Sequence, residues 1–183
     1  PHMPDDIEGI AQADSSDDFF NWDHLPRSVV IVGAGYIGVE FACLLQRLGV
    51  KVTLVVRRDK VLPRFDEDLR TALTEVMGQQ GVEIKKLTSV ACIEGVRGRL
   101  VVNLQDGSAV ACERIVFATG RLPNVKGLGL EKAGVLTGKN GAVCVDLDSA
   151  TNIPSIHAVG DVTDRVALTP VAIREGLSLI HIS

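Results

Sequence analysis

The stretch Gly33-Ala34-Gly35-Tyr36-Ile37-Gly38 constrains this 183-residue chain more than any other. It follows Ser28-Val29-Val30-Ile31-Val32, a short continuous apolar run of the kind found in strands covered on both faces. After it, Ile37, Phe41, Leu44, Leu45 and Leu48 recur at helical spacing, and Gly49 closes the helix. Lys51-Val52-Thr53-Leu54-Val55-Val56 reads as a second buried strand. Strand, glycine turn, helix and strand together require a right-handed crossover and a parallel sheet. In that setting GxGxxG is a dinucleotide fingerprint. The first glycine permits the tight turn, the second lets the backbone approach a pyrophosphate, and the third lets helix pack on strand. The helix N-terminus offers unpaired N–H groups and partial positive charge to the anion. Gly33, Gly35, Ile37 and Gly38 are therefore cofactor-binding candidates.

The end of the second strand selects the dinucleotide. An acid there hydrogen-bonds the ribose of NAD, whereas an arginine accommodates the 2′-phosphate of NADP. Val56 stands where the acid would sit, followed by Arg57 and Arg58, then Lys60 and Arg64. A guanidinium grips phosphate with two parallel hydrogen bonds. The expected cofactor is NADPH, with Arg57 and Arg64 as phosphate candidates. Gly38 pulls the other way, because NADP-type members of this fold often carry alanine there. The charge at the phosphate outweighs one methyl group.

The remaining chain extends this α/β pattern. Asp66, Glu67 and Asp68 suit a helix N-terminus, Leu69, Leu73 and Val76 mark its apolar face, and Val82 to Lys85 can form a third strand. Ser89–Val96, Arg99–Leu104 and Ala109–Cys112 then read as an antiparallel meander, with Asp106-Gly107 as a hairpin turn. Glu113 to Ala118 returns as a buried strand. Further strands are expected over Gly141–Val145 and Ile156–Val159, and a helix from Pro170 to Leu179. Residues 1–27, with the run Asp14-Ser15-Ser16-Asp17-Asp18, read as a solvated connector that ends in a small docking patch of Phe19, Phe20 and Trp22.

Composition excludes several classes. The net charge of −4 speaks against nucleic-acid binding. No run of 18 apolar residues exists, so a membrane span is not expected. The acidic, polar N-terminus does not suit a signal peptide. The four cysteines, Cys43, Cys92, Cys112 and Cys144, are far apart and lie in apolar runs, without metal-ligand spacing. They read as buried free thiols of a reducing, cytoplasmic compartment.

Four motifs in order resemble the flavoprotein pyridine nucleotide-disulfide oxidoreductases. They are Leu25 to Ala42 around the glycine turn, Arg57 to Asp66, Ala118-Thr119-Gly120-Arg121-Leu122-Pro123-Asn124, and Ala158-Val159-Gly160-Asp161-Val162. Within the family, the arginine loop and the Ala-Thr-Gly-Arg motif resemble the glutathione reductase type. The resemblance implies that Tyr36 covers the flavin and swings aside for the nicotinamide, and that Glu40 holds a flavin-side lysine. Arg57 matches the first phosphate arginine; Arg64 stands one place beyond the second, whose position Pro63 occupies. Gly120 and Arg121 match the loop under the dinucleotide. Asp161 matches the aspartate that binds the ribityl chain of FAD, with Leu168 and Thr169 against the flavin. His157 reads as core.

The implied architecture is a connector and the end of an FAD domain over residues 1–25, an NAD(P)H domain over 26–145, and a returning FAD segment over 146–183. The implied chemistry passes hydride from NADPH to FAD, then electrons to a cysteine pair and on to glutathione disulfide or another small disulfide, in a homodimer. The cysteine pair and the acid/base histidine of the family are absent from this stretch, so no residue here is a catalytic or metal-ligating candidate. Leu177 to Ser183 departs from the family pattern. Dihydrolipoamide, mercuric and transhydrogenase relatives stay open, as does a stand-alone NADPH-binding module.

Overall fold

A computed structural model describes residues 1–182. The chain divides into two compact units, one spanning Pro1–Gly120 and the other beginning at Arg121.

The first unit is built on a five-stranded sheet. Its strands are β1 (Asp14–Ser15), β2 (Ser28–Val32), β3 (Lys51–Val55), β4 (Glu83–Lys85) and β8 (Arg114–Phe117). Their order is β1-β8-β2-β3-β4, and every neighbouring pair is parallel. The continuous apolar runs follow from burial on both faces. Val29, Ile31, Val52 and Leu54 pack with helix α2 (Tyr36–Arg47) and Met77 of α3 (Glu67–Gln79). Val30, Val32, Val55, Ile115 and Phe117 point the other way, onto an antiparallel sheet of β5 (Val90–Val96), β6 (Arg99–Leu104) and β7 (Ala109–Cys112). Each such side chain contributes about 1.5–3 kcal/mol when fully buried. The expected mixed α/β fold and its meander are present. At the expected hairpin, Asp106 Oδ1 accepts from the Ser108 N–H at 2.9 Å and hydroxyl at 2.7 Å.

Both helices bury only part of the apolar set expected of them: Phe41 and Leu45 are buried, and Ile37 and Leu73 pack against the core. In α2 the buried set is Gly38, Val39, Phe41, Ala42 and Leu45, while Leu44 and Leu48 are exposed. Small residues at 38 and 42 let the helix lie close to the sheet, and that choice carries Leu44 and Leu48 outward. In α3, Thr74 and Met77 are buried, whereas Leu69 and Val76 are exposed.

The acidic run near the N-terminus is also corrected. Asp14, Ser15 and Ser16 are buried rather than solvated, because β1 pairs with β8. Helix α1 (Ser16–Phe19) follows, with Ser15 and Asp18 forming a reciprocal cap. Phe19 stacks on Phe41 at 3.8 Å, so it belongs to the core, while Phe20 stays exposed.

The second unit holds a short 3-10 turn, Gly160–Thr163, and helix α4 (Thr169–Ile182). The strands expected at 141–145 and 156–159 do not form. Each region makes one isolated bridge, Thr137 with Val143 and Ala150 with His157. Turn formers cut the apolar runs too short for a ladder: Asp146 Oδ1 accepts from the Asp148 and Ala150 N–H groups at 2.9 Å. With no sheet to enclose it, His157 is exposed rather than core.

Candidate functional site

Strand β2 lies between β3 and β8, the two strands reached on opposite sides of it. In an open α/β sheet, ligands bind beyond the carboxyl ends of the strands at such a reversal of order. The glycine turn occupies this place. Gly33 has φ +133°, and a Cβ there would stand 2.3 Å from the Ala118 carbonyl oxygen after β8. Its N–H donates to the Val55 carbonyl at 3.0 Å, drawing the ends of β2 and β3 together. A Cβ on Gly38 would stand 2.4 Å from the Gly33 oxygen. This contact accounts for glycine at 38 without reference to the cofactor.

Gly35 differs from both. It is the N-cap of α2, and nothing lies within 4 Å of where its Cβ would be. The first-turn N–H groups of a helix lack intrahelical partners, and no side chain caps them here. The open side of Gly35 and these N–H groups form a cradle for an anion. Tyr36 opens the helix and is 40% exposed; Ile37 is half-buried and Glu40 is exposed.

The arginine loop follows β3. It is anchored by Val61 and Leu62, both buried. The Leu62 N–H donates to the Ala34 carbonyl at 2.7 Å, and the Val61 carbonyl accepts from Arg70 Nε at 3.1 Å. Leu62 adopts φ +52°, a left-handed conformation unusual for a branched side chain. Arg57, Arg58 and Arg64 are exposed, and none forms an ion pair among the described residues. The nearby acids are engaged elsewhere. Glu67 pairs with Lys60, whose ammonium holds the Glu67 carboxyl below its ordinary range. Asp66 caps α3 by accepting from the Asp68 and Leu69 N–H groups. The loop thus presents unneutralised guanidinium groups beside the glycine turn.

Gly120, with φ +138°, ends the first unit and its carbonyl accepts from the His2 N–H at 2.8 Å. The structure therefore gathers Gly33, Gly35, Tyr36, Ile37, Gly38, Glu40, Arg57, Arg64 and Gly120 in one unit. Arg121, Asp161, Leu168 and Thr169 belong to the other. There, Arg121 Nε lies 3.9 Å from Asp161 Oδ2, both side chains being about half exposed. Leu168 and Thr169 are exposed at the start of α4. Sequence reasoning missed two residues that hold backbone in these regions: Leu62, and Glu175, whose Oε2 accepts from the Gly160 N–H at 2.7 Å. An apolar Val-Leu pair inside a charged loop was a usable signal for the first. A single acid in an amphipathic helix gives none for the second.

The thiols are only partly as expected. Cys112 is buried, and desolvation pushes its pKa up to about 11; burial also raises that of Cys43. Cys43 and Cys92 are half-buried, and Cys144 is exposed because its segment never joins a sheet. No cluster among the described residues has the makings of a metal site. No helix among them is long and apolar enough to cross a membrane.

Residues 2–176 match the family described as pyridine nucleotide-disulphide oxidoreductase. The chain belongs to that family. It is 42% identical to glutathione reductase of Nostoc sp. strain PCC 7120, over 93% of this chain and 40% of that protein. It is 43% identical to glutathione reductase of Burkholderia cepacia, over 96% of this chain and 39% of the relative. Among solved structures, the Cu(II) complex of a cysteine-to-serine mutant of RclA, an HOCl-induced flavoprotein disulfide reductase of Escherichia coli, is similar with a TM-score of 0.93 and 30% identity. That match covers 100% of this chain and 42% of RclA. The family member described here thus spans about two-fifths of the length of these relatives.

Proposed function

We propose that this chain is the NADPH-binding portion of a flavin-dependent disulfide reductase, with glutathione disulfide as the substrate of the complete protein. The observation that carries the reading is the set of unpaired arginines beside an open glycine turn. Gly35 and the N-terminus of α2 would receive the pyrophosphate, and Arg57 and Arg64 the 2′-phosphate. Gly120 and Arg121 would line the dinucleotide, while Tyr36 and Glu40 stand toward the nicotinamide end. Asp161, Leu168 and Thr169 would contribute to FAD binding. When bound, NADPH supplies the hydride and FAD accepts it; the chain supplies orientation and charge. The glutathione assignment is supported by the relatives at 42–43% identity. A cytoplasmic, homodimeric complete enzyme completes the reading.

Titration calorimetry tests the cofactor. NADPH should bind at least about tenfold tighter than NADH, or about 1.4 kcal/mol. Arg57→Glu should invert the preference. Equal affinities for the two nucleotides would overturn the reading.

A further inference from the structure

We infer that Glu175 is a positioning residue that fixes the Gly160-Asp161 turn for the sugar chain of a flavin. The inference rests on the reading that Asp161 contacts FAD. Gly160 has φ +71°, and both its backbone polar groups are held by side chains. Its N–H donates to Glu175 Oε2 at 2.7 Å, and its carbonyl accepts from the Thr163 hydroxyl at 2.8 Å. The adjacent Asp161 keeps a half-exposed carboxylate on this clamped turn.

Glu175 reaches the turn from α4, from the same face as Ala172 one turn earlier. A Cβ on Gly160 would lie 3.0 Å from the Ala172 Cβ, so turn and helix meet closely here. The Glu175 side chain is only 20% exposed, and Arg165 stands 3.9 Å away. Arg165 also donates to the Asp146 carbonyl, which braces its guanidinium. Glu175 is therefore charge-compensated and aimed at one backbone N–H. Hydrogen bonds with an ionised acceptor are about twice as strong as neutral ones. Glu175 itself faces the backbone and acts on the flavin site through the conformation of residue 160.

The test uses the full-length flavoprotein, with FAD affinity and amide hydrogen exchange as readouts. Glu175→Ala should weaken FAD binding about tenfold and speed exchange at the Gly160 amide. Glu175→Gln keeps an acceptor oxygen and should restore both. A residue that merely packed the helix would lower the thermal midpoint and leave FAD affinity unchanged. Asp161→Asn separates the two readings: unchanged FAD affinity there removes the flavin reading itself. If Asp161→Asn weakens FAD while Glu175→Ala does not, or if Glu175→Gln falls as far as Glu175→Ala, the positioning role is overturned. Should Glu175→Ala not fold, rapid exchange of the Gly160 amide in the wild-type protein is equally decisive against it.

Discussion

The Leu62 N–H donates to the Ala34 carbonyl at 2.7 Å, so the arginine loop is tied to the middle of the glycine turn. One hydrogen bond thereby connects the element that would receive a pyrophosphate with the one that would read a phosphate on the ribose. Leu62 adopts left-handed backbone geometry to make it, with its side chain buried. Leu62→Ala should cost about 2–5 kcal/mol through the cavity it leaves. Leu62→Gly removes the same side chain but relieves about 1 kcal/mol of backbone strain. In urea unfolding, the glycine variant should therefore be no less stable than the alanine variant, reversing the usual order. Both should bind NADPH more weakly than the wild type.

The glycines of the turn make a contrasting pair. A Cβ at Gly38 meets a backbone oxygen at 2.4 Å, whereas one at Gly35 meets nothing within 4 Å. Gly38→Ala should destabilise the fold by about 1–3 kcal/mol through overpacking. Gly35→Ala should cost about 1 kcal/mol or less, as a change at a helix N-cap. The methyl group nevertheless fills the side from which a ligand approaches, so nucleotide affinity should drop about tenfold or more. Thermal unfolding together with calorimetry checks both. A stable Gly35→Ala protein that binds NADPH normally would move the anion site away from this turn.

What was legible in the sequence follows physical period. Ser28–Val32 and the meander were readable because two-sided burial and alternation leave direct marks on residue order. The inward faces of α2 and α3 were legible only in part: Phe41 and Leu45 are core, but Leu44 and Leu48 look like core too until small Gly38 and Ala42 are seen setting the approach to the sheet. The strands expected at 141–145 and 156–159 failed for a related reason: a short apolar run forms a strand only when a partner is available. Of the site, the glycine turn and Arg57 were visible as local motifs. The Leu62 anchor and the Glu175 contact were not, because each depends on a hydrogen bond to backbone distant in sequence.

Cys112 should make stability depend on alkaline pH. Burial raises its pKa from an ordinary 9.0 to about 11. In that window the unfolded thiol loses its proton while the folded one retains it. The contribution is thus complete below about pH 9 and is lost as the pH rises through 11, by about 3 kcal/mol. Cys112→Ala should flatten this part of the profile. Under native conditions alkylation should reach the exposed Cys144 first and Cys112 last. Peptide mapping after a timed iodoacetamide pulse reads that order, and early labelling of Cys112 would contradict it.

Asp14 offers the strongest test of the packing around β1. Its carboxylate is almost wholly buried and accepts from Arg97 at 2.6 Å, Arg114 at 3.0 Å and Trp22 Nε1 at 3.0 Å. Arg114 also lies over the Trp22 ring at 5.0 Å. The Arg97 guanidinium is half exposed and can return to water, whereas that of Arg114 is only 16% exposed. Removing the acid therefore strands one buried charge and one indole N–H. Asp14→Ala should cost about 3–5 kcal/mol, the range for breaking one side of a buried pair. Arg97→Ala should cost about 1 kcal/mol, because its partner keeps two other donors. Asp14→Asn should fall between these, retaining an acceptor without the charge. Urea denaturation of the three variants gives the ranking. If Arg97→Ala proves as damaging as Asp14→Ala, the acid is held chiefly by the meander arginine rather than by the parallel sheet.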